Sequence, residues 1–296
     1  MRADAAMDVL TRERVQPEVL ITDRRGHARA LAAAAVERGA SLVIAWGGDG
    51  TVNEVASALA FGPAALGVMP GGAGNGLARM LKLPADPEHA LPALVHGTDR
   101  LIDLGEIGGH RFTNVAGLGF DAQVALTFAR MGRGRRGLLR YAYVVLRELA
   151  RYQPSCYDLE WNDGGVARAK LAFLLGFANG RQWGNGAIVA PHARLDDGRL
   201  DVVCVAPRSS VRVLTAFPRL FLGTLDRAPG VESWTVAAAA VSAAASLTCH
   251  VDGEPVQLGR RASVRVLPAA LRLRGGVHPS APPADRVQGA ATEDAS

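Results

Sequence analysis

Two consecutive strand–turn–helix units constrain this chain more than any other feature. In the first, the apolar run Leu42-Val43-Ile44-Ala45-Trp46 enters Gly47-Gly48-Asp49-Gly50-Thr51-Val52-Asn53-Glu54 and then an Ala/Val/Leu-rich helical stretch. In the second, Ala65-Leu66-Gly67-Val68-Met69 enters Pro70-Gly71-Gly72-Ala73-Gly74-Asn75-Gly76 and a short helix over 77–81. Parallel strands with right-handed helical crossovers put successive βα turns on one edge of a sheet, where open α/β folds bind ligands. Glycines let the backbone approach a ligand closely, and N–H groups at a helix N-terminus supply partial positive charge, so a phosphate suits both turns. Asp49 would repel a bare phosphate; it is expected to meet one through Mg²⁺ or to face a reacting hydroxyl. Neither turn is a Walker P-loop or a GxGxxG, and either one alone could serve only for tight packing.

Upstream, the pattern predicts a helix over 5–14, a short strand over 18–22 and a crossover helix over 26–37 that ends at Gly39. Beyond Pro84 the texture changes to strands without intervening helices: a hairpin over 100–115, then strands over 159–161, 167–178, 200–206, 234–241, 247–251 and 263–267. One helix interrupts them over 138–152, behind the basic run Arg130, Arg133, Arg135 and Arg136; it reads either as packed on the sheet or as facing a membrane. A chain of 296 residues is long enough for two cores. The expected division is an α/β domain over 1–98 and a β-rich domain over 99–275 whose last residues return to the first. A tail over 276–296, rich in Pro, Ala and Ser, reads as disordered.

The net charge of +5 suits phosphate ligands, anionic membranes or nucleic acid alike. No reader helix or basic–aromatic stacking surface is visible, so nucleic acid is not expected. Cys156, Cys204 and Cys249 are widely spaced, odd in number and form no CxxC, so neither a disulfide framework nor a zinc site is indicated, which fits a cytoplasmic protein. No apolar run reaches the roughly 18 residues of a membrane span, so any membrane contact is expected to be peripheral and transient.

Three further stretches carry chemistry. Asp121, behind Gly117-Leu118-Gly119-Phe120, either binds a polar group or caps the helix that follows. The loop Arg194-Leu195-Asp196-Asp197-Gly198-Arg199-Leu200-Asp201 can ligate a hard cation or be ordinary turn chemistry. His250-Val251-Asp252-Gly253-Glu254 is a strand and a turn with two carboxylates. In a cleft, Glu254 could accept the proton of an attacking hydroxyl, as phosphoryl transfer requires. His192 and His250 read as structural, because no serine or cysteine partner pattern surrounds them.

Taken in order, these stretches resemble the diacylglycerol kinase catalytic-domain family, which includes bacterial lipid kinases and sphingosine kinases and is related to NAD kinases. The resemblance covers about residues 17–268. It implies an α/β plus β fold, with an N-terminal α/β nucleotide-binding domain, a C-terminal β-sandwich-like lipid domain and ATP in the cleft between them. The implied reaction moves the γ-phosphoryl group of ATP to a hydroxyl of diacylglycerol, a related glycerolipid or a sphingoid base at a membrane surface. Residue by residue, it assigns the nucleotide phosphates to Gly47, Gly48, Asp49, Gly50, Thr51, Val52 and Asn53 with Ala73, Gly74 and Asn75, and a further nucleotide contact to Thr22. It gives Asp49 the organisation of Mg²⁺, Glu254 the role of general base and Asp121 the lipid head. A structural Mg²⁺ falls to Asp197 with the carbonyls of Arg194 and Arg199. A homodimer is compatible with it.

Two departures stand out. The family's first strand and its Asn-Pro-x-x-Gly turn are absent ahead of the first helix, which keeps open a binding protein without full activity. Ala73 replaces a frequent Ser or Thr, removing a hydrogen bond of about 0.5–1.5 kcal/mol. A NAD kinase is the nearest enzyme alternative, but that family's Thr-Ala-Tyr and Ser-x-Gly-Gly stretches are missing here.

Overall fold

The structure, a computed structural model, describes residues 2–131, 138–162, 164–208 and 217–276. Arg133, Arg135, Arg136 and the tail from residue 277 lie outside the described residues. The N-terminal part runs α1 (Arg2–Arg12), α2 (His27–Glu37), β1 (Leu42–Gly47), α3 (Asp49–Leu59), β2 (Ala65–Pro70), α4 (Gly76–Met80) and α5 (Pro87–His96). The remainder runs β3 (Asp99–Ile107), β4 (His110–Phe112), β5 (Val115–Gly119), α6 (Phe120–Arg130), α7 (Leu138–Leu149), β6 (Ser155–Trp161), β7 (Val166–Ala172) and β8 (Leu174–Ala178). It continues through β9 (Gln182–Gly184), β10 (Ala187–Ile188), β11 (Leu200–Val205), β12 (Val231–Val236), β13 (Ala238–Ser242), β14 (Thr248–Val251), β15 (Glu254–Gln257) and β16 (Arg261–Arg274).

β1 and β2 pair in parallel from Leu42 opposite Ala65 to Gly47 opposite Pro70, which sets the two glycine turns side by side. Behind them, Val52, Val55, Ala56 and Leu59 of α3 bury against Leu66, Val68 and Leu77, so one face of the sheet is closed by the helices the alanine-rich pattern predicts. On the other face α1 and α5 pack Val9, Leu10, Leu91 and Leu94 over Met69. α5, which the sequence reading did not identify, starts with Asp86 as N-cap and Pro87 at its first position.

The strand expected over 18–22 does not form. Val19, Leu20 and Ile21 are exposed, and no strand of the described residues pairs with this stretch; a short apolar run without a ladder partner cannot satisfy its backbone as a strand.

A second difference shapes the other half. The run expected as one strand over 167–178 breaks at Phe173, and the run over 234–241 breaks at Ala237. β7 and β13 belong to the sheet that contains β1 and β2, whereas β8 and β12 belong to a six-stranded sheet ordered β12-β11-β8-β5-β14-β15. Strands that switch sheets make the corners of a sandwich. Between the sheets lie Phe112, Leu118, Phe177, Val202, Val241 and Val264.

β16 stitches the halves together. Its first part pairs with β13 and β3, and Arg272 and Leu273 run parallel to Ala65 and Leu66 of β2. Between these parts the register shifts and Ala269 adopts φ 49°, a bulge that re-aims the strand. Buried Asp103 holds that bulge: Oδ1 accepts from Ala269 N at 2.8 Å and Oδ2 from Gly198 N at 2.7 Å.

Candidate active site

The two glycine turns meet backbone to backbone. Gly71 N donates to Gly47 O at 2.9 Å, and a Cβ on Gly72 would come within 2.5 Å of Gly48 Cα, so this contact requires glycine. Asn75 adopts φ 50° and folds its amide back onto the second turn, accepting from Gly72 N at 2.9 Å and donating to Gly72 O at 2.8 Å. Asp49 bridges the two: Oδ1 accepts from Gly76 N at 2.6 Å, and Oδ2 lies where a Cβ on Gly74 would overlap it. Burial pushes the Asp49 carboxyl above the usual carboxylate range; the N–H of Gly76 opposes the shift and the charge of Asp252 adds to it.

The neighbours of Asp49 have distinct tasks. Val52 is buried in the core, so its side chain cannot meet a ligand. Asn53 turns across the cleft, where Nδ2 donates to Arg111 O and to Asp252 Oδ2, both at 2.8 Å. Glu54 accepts from Gly26 N at 2.7 Å and Ala28 N at 3.0 Å, serving the N-terminus of α2 that Gly26 alone leaves without a side-chain cap. Thr22 lies in the exposed stretch that leads to that terminus.

From the sandwich, the β14–β15 hairpin reaches into the same cleft. Its two-residue turn, Asp252 with φ 47° and Gly253 with φ 85°, has the positive angles a type I′ hairpin demands. The Asp252 carboxylate is buried and fully engaged. Oδ2 accepts from Thr113 N at 2.7 Å and Thr113 Oγ1 at 2.9 Å besides Asn53, and Oδ1 accepts from Asn114 N at 2.9 Å and Val115 N at 3.0 Å. Glu254, two residues on, is left beside the first glycine turn: a Cβ on Gly50 would lie 3.2 Å from Glu254 Oε1. Its other oxygen sits 3.4 Å from Arg25 Nη2 in a largely exposed ion pair. A half-exposed carboxylate over a glycine turn can take a proton from a hydroxyl that approaches a phosphate held there.

Asp121 is turned inward, with its side chain 11% exposed. Oδ1 accepts from Ala122 N at 2.9 Å at the start of α6, and Oδ2 pairs with His250 Nε2 at 2.8 Å. Asp121 is therefore not the N-cap of α6, a position held by Gly119 without a side-chain bond; it takes one N–H within the first turn, and its polar partner is a side chain of this chain. Gly117 makes room for the pair, since a Cβ there would overlap Asp121 Oδ2 and stand 2.6 Å from His250 Nε2.

The loop over 194–199 is anchored at the bulge of β16. Asp197 Oδ1 accepts from Arg199 N at 3.1 Å, and Arg194 Nε pairs with Asp196 at 3.2 Å. Among the described residues no group of three or more His, Cys, Asp or Glu side chains is arranged to hold a metal. A magnesium ion at Asp49 or at Asp197 would thus take at most two such side chains, completed by carbonyls, water or substrate phosphates, a donor set Mg²⁺ accepts.

Residues 2–107 match the family described as diacylglycerol kinase catalytic domain, and residues 114–275 match the YegS C-terminal NAD kinase beta sandwich-like domain. A Pseudomonas aeruginosa protein named "Probable lipid kinase YegS-like" is 37% identical over 271 residues, covering 86% of this chain and 83% of that protein. The chain belongs to the diacylglycerol kinase family. It is a kinase. A Mycobacterium tuberculosis protein named "Diacylglycerol kinase" is 34% identical over 255 residues, with 83% and 80% covered. In fold, the chain is similar to the crystal structure of a Bacillus anthracis diacylglycerol kinase, with a TM-score of 0.68, 18% identity and 91% of each chain covered.

Within this kinase, the structure brings Asp49, the two glycine turns and Glu254 into one cleft, while Asp197 and its neighbours sit by the bulge of β16. The sequence reading assigned no role to Glu54, Arg25, Asp252 or Thr113. Glu54 had a signal, an acidic residue in the strongest motif of the chain; Thr113 and Arg25 had none, because their importance arises from contacts across the cleft.

Proposed function

We propose that the chain transfers the γ-phosphoryl group of ATP to the hydroxyl of a glycerolipid, with diacylglycerol as the first candidate acceptor. The observation that carries this reading is Glu254 Oε1 beside Gly50, a base placed next to the turn best suited to phosphate. The backbones of residues 47–51 and 71–74 would cradle the phosphates, and their fixed N–H dipoles would offset charge as it develops on the transferring group. Glu254 would take the hydroxyl proton as the acceptor oxygen attacks in line. When bound at Asp49, Mg²⁺ would supply further charge neutralisation on the phosphate oxygens.

The acceptor would be drawn from a membrane by peripheral contact. Among the described residues no helix is long and apolar enough to cross a membrane. α7 buries Val144 with Phe120 and Phe173 and leaves Tyr143 and Leu146 exposed, and these two side chains support a membrane-facing role for its outer face.

The test is transfer of radiolabel from γ-labelled ATP into a panel of diacylglycerol, monoacylglycerol, phosphatidylglycerol and sphingosine, with NAD as a soluble acceptor beside them. Label is expected in a glycerolipid, and Asp49→Asn and Glu254→Gln are each expected to lower the rate by about 10²–10⁴-fold. Label in NAD alone, or unchanged rates in both variants, would overturn the reading.

A further inference from the structure

His250 has the contacts of a working part of the site. Its Nδ1 accepts from Gly253 N at 3.2 Å, so this nitrogen carries no proton, and the proton on Nε2 is donated to Asp121 Oδ2 at 2.8 Å. The imidazole is thereby a neutral bridge of defined tautomer. One end is tied to the first turn of α6 and the other to the tip of the hairpin, one residue before Glu254.

The surroundings fix that bridge. His250 and Asp121 are 6% and 11% exposed, Gly117 admits them only because it lacks a Cβ, and the Trp183 ring lies 6.5 Å from the imidazole. The hairpin tip is thus held from both sides. Asp252 binds it to residues 113–115 and to Asn53 of the nucleotide side, and His250 binds Gly253 to α6.

We propose that His250 is a positioning residue for Glu254: through the Gly253 N–H it sets the backbone from which the carboxylate reaches the first glycine turn, with Asp121 fixing its tautomer. The inference rests on the reading of Glu254 as the base. It assigns to Asp121 a task within the protein, orienting an imidazole, in addition to any contact with a lipid head.

The two ring nitrogens can be mimicked separately. Glutamine at 250 can present an N–H near the place of Nε2 but no acceptor to Gly253; asparagine can present an oxygen near the place of Nδ1 but nothing to Asp121. His250→Gln is expected to lower kcat by about 10–100-fold, the cost of misplacing a reacting group by about an ångström, with the KM values for ATP and lipid within about threefold. His250→Asn is expected to retain most of kcat. In a Glu254→Gln background His250→Gln is expected to cost less than about twofold, because a residue that acts through Glu254 has nothing left to position.

An equal fold-loss from His250→Gln in both backgrounds, an effect confined to KM, or an equal loss from the Asn and Gln variants at unchanged Tm would each overturn the proposal. Failure of the underlying reading looks different: Glu254→Gln would itself leave kcat unchanged.

Discussion

Asn53 Nδ2 donates to Asp252 Oδ2 at 2.8 Å, joining two residues 199 positions apart in sequence and on opposite sides of the cleft. The donor belongs to the helix that begins at the first glycine turn, and the acceptor precedes Glu254 by two residues. This bond makes the distance between the first glycine turn and Glu254 a property of side-chain chemistry as well as of the sheet that spans both halves. Asn53→Ala is expected to lower stability by about 1.5–3 kcal/mol, the range for a hydrogen bond to a charged group. Asn53→Asp sets a second carboxylate against Asp252 and is expected to cost more. Thermal unfolding of the two variants checks the order; a more stable Asp variant would remove this role from Asn53.

Asp252 itself is expected to tolerate replacement poorly. Its carboxylate receives the N–H groups of Thr113, Asn114 and Val115, and an asparagine offers one oxygen where two accept. Asp252→Asn leaves buried donors facing an NH₂ group, each costing about 1–3 kcal/mol. Urea unfolding is expected to show a loss near the upper end of that range, with kcat falling as well because the hairpin tip loses its anchor.

The sequence showed the cradle and not the clamp. Leu42–Trp46 and Ala65–Met69 were legible because parallel βα units write their strands as apolar runs and their turns as glycines, both local signals. Glu254 was legible as a carboxylate in a turn that could act as a base if a cleft held it, and only the resemblance supplied the cleft. Asp252, Thr113 and Asn53 became a unit only once β5, β14 and α3 were placed, since hydrogen bonds between distant segments leave no periodicity behind. The breaks at Phe173 and Ala237 were hidden for a related reason: a strand that changes sheets keeps its apolar content while its neighbours change. The stretch over 18–22 erred the other way, with strand-forming residues but no ladder to join.

Glu54 has a separable structural task. Both of its oxygens serve the N-terminus of α2, where a carboxylate also meets the positive end of the helix. Glu54→Ala is expected to cost about 1–2 kcal/mol, at the upper end of capping effects, with Glu54→Gln intermediate. Hydrogen exchange read at Gly26 and Ala28 should speed up more than exchange at Leu66 in the sheet. Equal acceleration everywhere would mean that the loss is global rather than local to α2.

Glycines of the chain should separate into those that need space, in the site, and those that need only backbone freedom, as in the β3–β4 turn. Gly109 has φ 83° with nothing within 4 Å of an added Cβ, so Gly109→Ala pays only for left-handed backbone, about 1–2 kcal/mol. Gly72 is the opposite case, because its Cβ would press on the backbone of Gly48, and neither turn can yield without opening the cradle. Gly72→Ala is expected to abolish lipid phosphorylation even if the folded protein persists, and Gly109→Ala to leave kcat near its original value. Comparable kcat in the two variants would contradict a contact between the turns that matters to the reaction.

Asp49 ties function to a stability cost that pH can expose. Burial raises its folded-state pKa above the unfolded value of about 3.9, so the neutral carboxyl is the form the fold prefers. The associated stability is fully present below that unfolded pKa and is lost as pH rises through the folded pKa. Asp49→Asn has no proton to lose and can still accept from Gly76 N, so it escapes the loss. In buffer with chelator and without nucleotide, the Tm difference between Asp49→Asn and the original protein is expected to be small near about pH 4 and to grow in favour of the variant toward neutrality, while lipid phosphorylation collapses. A difference that stays flat, or turns against the variant as pH rises, would show that the ionised carboxylate stabilises the joined turns. The raised pKa predicts the reverse, a charge held beside Gly74 and Gly76 against the preference of its surroundings.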